Sequence, residues 1–98
     1  ELKAYGLTVQ EITPELKPHF AEARVGSILI TDVKQGSPAE RDGLRRGDVV
    51  LHVNDLRVRG LKGFLRSLRT AGDRELPVRL SVSRGDRRLN LMLSRKKR

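Results

Sequence analysis

The stretch "GSPAERDG", residues 36–43, carries the clearest structural signal in this chain of 98 residues. Ser37 is a favourable N-cap, Pro38 suits the first helical position, and Glu40 stands three residues after the cap. Gly43 can adopt the left-handed conformation that ends many helices. The stretch therefore predicts a helix of little more than one turn, over residues 38–42.

Hydrophobic patterns on both sides of this helix predict short strands. Some runs alternate apolar and polar side chains, as a half-buried strand does, and one is a continuous apolar run rich in β-branched residues. Glycine, asparagine and aspartate separate these runs and indicate turns. The expected strands cover residues 7–12, 27–33, 49–53, 78–82 and 89–93, with a short extension over 56–58.

The longest helical pattern lies in the second half of the chain. Its apolar residues follow the i, i+3, i+4, i+7 spacing that puts side chains on one face of a helix. They are Leu61, Phe64, Leu65 and Leu68. An amphipathic helix over residues 61–71 is therefore predicted, with Gly72 at its end.

A further short helix is expected between the first two strands. Thr13 is a possible cap and Pro14 suits the first position, whereas Pro18 limits the helix to about one turn. The order of elements predicts a mostly β, α+β fold of five or six strands with two or so short helices. Short strands separated by turns favour a small, partly open barrel or sandwich that helices cap.

Length and composition restrict the class of protein. A chain of 98 residues forms a single domain, here with a core over about 5–93 and a basic tail over 94–98. Because the chain starts at Glu1, we expect it to be a fragment excised from a larger protein. The sequence has no cysteine, so disulfides and thiolate metal sites are excluded. Its apolar runs are also too short for a membrane helix.

The formal net charge is +9, from 21 lysines and arginines against 12 acidic residues. Such a charge suits a partner such as nucleic acid or an anionic surface. The basic residues are scattered, however, and aromatic residues that could stack on bases are almost absent. A solvated basic surface is the preferred interpretation, and a module that binds nucleic acid or an anionic surface remains the alternative.

The sequence lacks the common catalytic and metal-binding motifs. It lacks a nucleophile elbow, a zinc-binding H-E-x-x-H, a phosphate loop and a carboxylate array for calcium. His19 and His52 have no convergent acidic partner and are interpreted as surface or packing residues. The tripeptide RGD occurs at 46–48 and 84–86, where glycine turns are expected, and is interpreted as coincidence rather than an adhesion motif. The domain alone is not expected to be an enzyme or to hold a metal or cofactor.

The run "GSILITDVKQGSPAERDGLRRGDVVLHVNDLRV", residues 26–58, closely resembles the middle of a bacterial PDZ domain of the HtrA/DegP serine-protease kind. That family has a hydrophobic strand, a GSPA turn, a short helix, GL and GD dipeptides, another strand and a VNG turn. The flanking runs look like the opening and closing hairpin of such domains, so the resemblance covers about 5–93. It implies a PDZ-like fold with the bacterial, permuted strand order. Asp55 replaces the family's glycine, which leaves the type of that turn open, and the family does not explain the excess of arginine.

The resemblance also implies a peptide-binding groove. Ala4-Tyr5-Gly6-Leu7 corresponds to the carboxylate-binding loop, in which Gly6 lets successive N–H groups converge on a terminal carboxylate. Tyr5 would form one wall of the pocket for the ligand's last side chain; a role as a plug in the core is the alternative. The strand that starts at Leu7 would accept the peptide as an added antiparallel strand, with Thr8 and Val9 at its edge.

By the same resemblance, the helix that begins at Leu61 would form the facing wall of the groove. Its candidate groove residues are Leu61, Leu65, Leu68 and Arg69, and ordinary core packing is the alternative for the leucines. PDZ domains that select Ser or Thr two residues before the ligand's end often begin this helix with histidine. Because Leu61 stands there, we expect hydrophobic side chains at the ligand's end and two positions earlier.

The function implied is that of a peptide-binding regulatory module of a periplasmic serine protease that acts in protein quality control. It would capture C-terminal or unfolded segments with hydrophobic ends and feed them to the attached protease domain, or relay its activation. A PDZ module of an intramembrane metalloprotease, a tail-specific protease or a secretion component is the alternative within the family.

Overall fold

Six antiparallel strands form one open sheet in the computed structural model, which describes residues 2–95. The sheet order is β1-β2-β3-β5-β6, and β4 pairs with β3. The strands are β1 (Leu7–Glu11), β2 (Ile28–Val33), β3 (Val49–Val53), β4 (Leu56–Arg57), β5 (Val78–Arg84) and β6 (Arg87–Leu93). The helices are α1 (Pro38–Arg41) and α2 (Leu61–Asp73). The predicted mostly β fold with two short helices is confirmed.

The short helix α1 has the caps that the sequence predicts. The Ser37 hydroxyl accepts a hydrogen bond from the N–H of Glu40 at 3.2 Å, and the Glu40 carboxylate accepts one from the N–H of Gly36 at 2.9 Å. Gly43 follows the helix with a φ of 99°. The Ser37 bond satisfies a donor that the first turn leaves free, and the Glu40 bond fixes the residue before the cap, so a short helix is stabilised at this point.

The prediction of a helix from Pro14 to Pro18 is wrong. Residues 14–16 form a turn, in which the N–H of Leu16 reaches both the carbonyl and the hydroxyl of Thr13, at 3.1 and 3.3 Å. A 3-10 helix then covers Lys17–His19, with Pro18 in its first turn. The first positions of a helix need no intrahelical N–H donor, so Pro18 begins this helix instead of ending it.

Buried side chains form two clusters. The main cluster joins the sheet to α2 and includes Phe64 and Leu68, which confirms the buried face predicted for this helix. The second cluster contains Ile12, Ala23, Val49 and Leu51. Because neighbouring residues of a strand point to opposite faces, Val49 of this cluster and Val50 of the main cluster lie on opposite faces of β3. α2 therefore covers one face of the sheet, and the loop before β2 covers the other.

The two RGD tripeptides meet through their charged residues. Arg84 donates from Nε and Nη2 to the two carboxylate oxygens of Asp48, each at 2.8 Å. Arg84 also donates to the carbonyl oxygen of Gly43 at 2.7 Å. The side chain of Asp48 is only 1% exposed, so this ion pair ties β5 to the turn before β3 inside the fold.

A two-residue turn, Asn54-Asp55, joins β3 to β4. Asn54 and Asp55 both have positive φ, 49° and 69°, as a type I′ hairpin turn requires.

Of the predicted basic tail, residues 96–98 lie outside the described residues, and Arg95 donates to the carbonyl oxygen of Gly72 at 2.6 Å. No helix within residues 2–95 is long and apolar enough to span a bilayer.

Candidate functional site

Hydrogen bonds join the two ends of the β1 region to α2, from Tyr5 to Leu68 and from Leu61 to Glu11, and we call the space between β1 and α2 the groove. Within residues 2–95, β1 pairs with β2 along one side and with Leu2 alone along the other. The pairing with β2 has an irregularity between Thr8 and Val9. A strand edge with free N–H and carbonyl groups can accept another strand, so this side of β1 is suited to bind an extended peptide.

A tyrosine hydroxyl holds α2 to the chain at one end of the groove. The hydroxyl of Tyr5 donates to the carbonyl oxygen of Leu68 at 3.0 Å. Tyr5 is 3% exposed and belongs to the main core. Burial raises the pKa of the Tyr5 phenol; the charge of Arg95 opposes this effect and that of Asp73 adds to it. The loop and the helix are thus fixed to each other by a buried and neutral group.

A carboxylate holds α2 at the other end of the groove. Glu11 accepts a hydrogen bond at Oε1 from the N–H of Leu61 at 2.7 Å. Gly60 occupies the N-cap and has no side chain with which to cap the helix, so Glu11 of β1 takes this role. The two anchored residues of α2 are seven positions apart, which is about 10 Å along a helix axis. A groove of this length accommodates about three extended residues.

Three successive N–H groups converge at the start of β1. Those of Tyr5, Gly6 and Leu7 lie 3.2, 2.9 and 3.1 Å from the carbonyl oxygen of Leu2. Gly6 has a φ of 79°, and a Cβ at this position would lie 2.2 Å from Cβ of Ser37. Glycine is therefore required here both by the backbone conformation and by the close approach of the α1 cap. Such a cluster of N–H groups is a typical site for an anionic oxygen.

Leu2 also pairs with the edge of β1. Its N–H donates to the carbonyl oxygen of Leu7 at 2.8 Å, which makes an isolated antiparallel bridge. The side chain of Leu2 is half-buried and packs against the main core. The carbonyl oxygen of Leu2 thus accepts from the N–H groups of the loop, while its N–H donates to Leu7, the first residue of β1.

The predicted groove residues of α2 differ in their exposure. Leu61 and Leu65 are half-buried and pack on the main core, Leu68 is completely buried, and Arg69 is exposed. On the opposite side, Val9 is half-buried and Thr8 is exposed. Tyr5 contacts Leu68 through its hydroxyl, and Val9, Leu61 and Leu65 pack on the same main core. Sequence reasoning missed Leu2 and Glu11, which have no motif of their own and act through contacts with other segments.

Basic side chains lie near the loop. A surface cavity of about 520 Å³ beside Gly6 and Thr8 is lined by Lys3, Lys34 and the carboxylate of Asp32. Two cations against one anion favour an approaching negative charge, chiefly at low ionic strength.

Comparison with known proteins gives the family that this chain resembles. A family model described as PDZ domain matches residues 29–81. Over 63 residues, the chain is 40% identical to a protein from Chlamydia muridarum named as a DegP-like periplasmic serine endoprotease, a match of 64% of this chain and 13% of that protein. Over 72 residues it is 39% identical to a protein from Synechocystis named as serine protease HhoA, a match of 74% of this chain and 18% of that protein. The matched region spans less than a fifth of these relatives' length.

Solved structures show the same fold. The PDZ domain of HtrA3, bound to a phage-derived ligand with the sequence FGRWV, matches 91% of this chain and 80% of its own, with a TM-score of 0.73 and 27% identity. A variant of the HtrA-type protease AlgW with a decapeptide matches 92% of this chain and 27% of its own, with a TM-score of 0.78 and 25% identity. The open sheet with two helices is thus the fold of PDZ domains of HtrA proteins.

Proposed function

Because this chain belongs to the PDZ domain family, we propose that it binds the C-terminal ends of peptides by adding them as a strand to β1. The observation that carries the proposal is the convergence of the N–H groups of Tyr5, Gly6 and Leu7 on a single oxygen beside a free strand edge. The carbonyl oxygen of Leu2 marks the place where one oxygen of a terminal carboxylate would lie. A terminal carboxylate should bind this cluster more strongly than a neutral amide or carbonyl group, since hydrogen bonds to a charged acceptor are stronger.

The side chains around the groove favour hydrophobic ligand ends. Tyr5 and the buried Leu68 would form the base of the pocket for the last side chain, and Leu65 would line it. Leu61 would face the side chain two positions earlier, where it offers an apolar contact and no acceptor for a hydroxyl. Arg69, Thr8 and Val9 would contact the ligand's more distant residues and its backbone. Backbone donors and apolar surface suffice for this binding, so it requires no cofactor.

The parent protein is proposed to be a serine protease of the bacterial periplasm. The relatives named as DegP-like periplasmic endoproteases support this location, and the HtrA-type structures with peptides support a peptide partner. In such a protein the module would capture hydrophobic C-terminal or unfolded segments for quality control. It would either feed them to the attached protease domain or relay its activation.

A peptide pair tests the proposed function. Fluorescence anisotropy of the 98-residue chain would compare a labelled peptide with hydrophobic residues at the last and third-last positions with its C-terminally amidated form. The free acid should bind more tightly by about 1.5–3 kcal/mol, the contribution of a hydrogen bond to a charged group. The control peptide keeps the free C-terminal carboxylate and the same last residues but has a blocked N-terminus, and it should bind like the free acid. Equal affinities of the acid and the amide would contradict the carboxylate site.

A further inference from the structure

A second cavity, of about 560 Å³, lies on the face of the sheet opposite α2, away from the groove. Its floor is formed by apolar residues of the second core cluster, Phe20, Ala23 and Leu51. Basic side chains dominate its wall, with one acidic residue, Glu22. The basic residues are Lys17, Arg24, His52, Arg57 and Arg88. We call this the cationic cavity; the peptide-binding function makes no use of it.

A bulge in β3 helps to build the cationic cavity. Val50 pairs with Val82 and His52 with the next residue, Ser81, so Leu51 is an extra residue in the ladder. Such an insertion lets Leu51 and His52 face the same side, and both line the cavity. Arg57 of β4 lies directly opposite His52 and points to the same face. The strand irregularity and the β3–β4 hairpin thus direct these side chains to one place.

The positive charges of the cationic cavity are poorly compensated. Glu22 approaches Arg88 only to 3.8 Å, and both side chains are half exposed. Within residues 2–95, Lys17, Arg24 and Arg57 make no ion pair with a carboxylate. Partial burial lowers the pKa of Arg57, and the charges of Arg24, Arg59 and Arg88 lower it further. Like charges held together in this way repel one another, and a bound anion would relieve the repulsion.

We propose that the cationic cavity binds a phosphate-bearing anion. Arginine presents planar, forked donors that match phosphate oxygens, and three of the five basic residues are arginines. The volume of about 560 Å³ exceeds what a diphosphate needs and is within the range of small-ligand sites. Among the described residues, Phe20 and His52 are the two aromatic side chains in the lining, and no tyrosine or tryptophan joins them, so the cavity offers little of the successive base stacking that single-stranded nucleic acids require. The excess of arginine that the family does not explain thus acquires a local role.

Calorimetric titration with pyrophosphate at fixed ionic strength tests the site. Three proteins are compared: the unchanged chain, Arg57→Gln, and Arg74→Gln, which removes the same charge from an exposed residue after α2 that does not line the cavity. The unchanged chain and Arg74→Gln should bind equally, and Arg57→Gln at least tenfold more weakly. Arg24→Gln is the second site variant if Arg57→Gln proves unfolded by circular dichroism.

Vesicles distinguish the source of the phosphate. Phosphatidylcholine vesicles with and without phosphatidic acid are added to the same three proteins. If Arg57→Gln loses binding to phosphatidic acid vesicles and Arg74→Gln keeps it, the ligand is a lipid headgroup. If Arg57→Gln loses binding to pyrophosphate and no protein binds the vesicles, the ligand is a soluble anion. Equal weakening in both variants, with either probe or with a single-stranded oligonucleotide, would show diffuse attraction by net charge and overturn the proposal. So would the absence of binding to both probes. Peptide binding should remain unchanged in Arg57→Gln, which separates this site from the groove.

Discussion

Leu2 and Leu7 form a reciprocal backbone pair on the free edge of β1, with N–H to oxygen bonds of 2.8 and 3.1 Å. Leu2 therefore takes the place that the last residue of an added strand would occupy, and its carbonyl oxygen fills the cluster of loop N–H groups. In the proposed binding mode, a peptide could enter only when this pair opens. The affinity measured for a ligand is then reduced by the fraction of molecules in which Leu2 is displaced.

The substitution Leu2→Gly should strengthen peptide binding. It removes a half-buried side chain and makes the segment more flexible when free, so the competing pair loses about 1 kcal/mol. The dissociation constant of a hydrophobic-ended peptide should fall about fivefold, as measured by fluorescence anisotropy. Leu76→Gly, at a leucine that is 53% exposed and lies after α2, is the control and should leave the affinity unchanged. Equal or weaker binding by Leu2→Gly would contradict competition by Leu2.

Sequence patterns predicted the elements whose signals are local. The strand over 49–53 and the capped helix that begins at Pro38 carry their own alternation, caps and turn residues. The start of α2 at Leu61 follows from helical spacing alone. These predictions are confirmed because each depends on residues a few positions apart, where intrinsic propensity and side-chain capping determine the backbone conformation.

The remaining features depend on contacts between distant segments. Glu11 caps a helix that begins 50 positions later, and its own surroundings in the sequence show only the end of a strand. The extra residue Leu51 in β3 becomes visible only when the partner strand is in place. Tyr5 was expected at a pocket wall, and its bond to Leu68, 63 positions away, could not be read from a loop motif. Tertiary packing, rather than the local sequence, selects these arrangements.

Replacement of Asp48 should destabilise the fold. Asp48→Asn leaves the partly buried Arg84 without its charged partner, and it weakens the bond that the N–H of Arg45 donates to Oδ2. We expect the free energy of unfolding in urea to fall by about 1–3 kcal/mol. Asp86→Asn makes the same change at the exposed aspartate of the other RGD tripeptide and should have an effect within about 0.5 kcal/mol. Equal effects of the two variants would mean that the Asp48–Arg84 pair contributes nothing specific.

Removal of the Glu11 carboxylate should loosen the start of α2. Glu11→Ala leaves the N–H of Leu61 without its cap, at a cost of about 0.5–2 kcal/mol in the free energy of unfolding. Glu11→Gln retains an acceptor oxygen and should cost less. Glu15→Ala, at an exposed acidic residue before the 3-10 helix, is the matched control and should be nearly neutral. Amide hydrogen exchange at Leu61 should accelerate in Glu11→Ala only; unchanged exchange would contradict the cap.

The only tyrosine of the chain should titrate at higher pH than a free phenol. Burial raises the pKa of Tyr5, so the folded state holds the phenol proton more tightly than the unfolded state does. This stabilisation is fully present below the unfolded pKa of about 10 and is lost as the pH rises through the folded value. Ultraviolet absorbance of the phenolate should show a midpoint above 10 in the native protein and near 10 in urea. The unfolding free energy of Tyr5→Phe should depend less on pH in this range, and a native midpoint near 10 would contradict the burial effect.

The substitution Leu61→His should change the ligand preference at one position only. Leu61 is half-buried at the first position of α2, and beside it a ligand hydroxyl would be left without a partner, at a cost of about 1–3 kcal/mol. A histidine ring can bond that hydroxyl, so selection from a library of C-terminal peptides should shift toward Ser or Thr two residues before the end. The preference at the last residue should persist, because Leu65 and the loop are unchanged. Leu56→His, at a leucine that is 75% exposed and lies in β4, is the control and should select the same peptides as the unchanged chain. If the unchanged chain already selects Ser or Thr at that position, Leu61 does not face it.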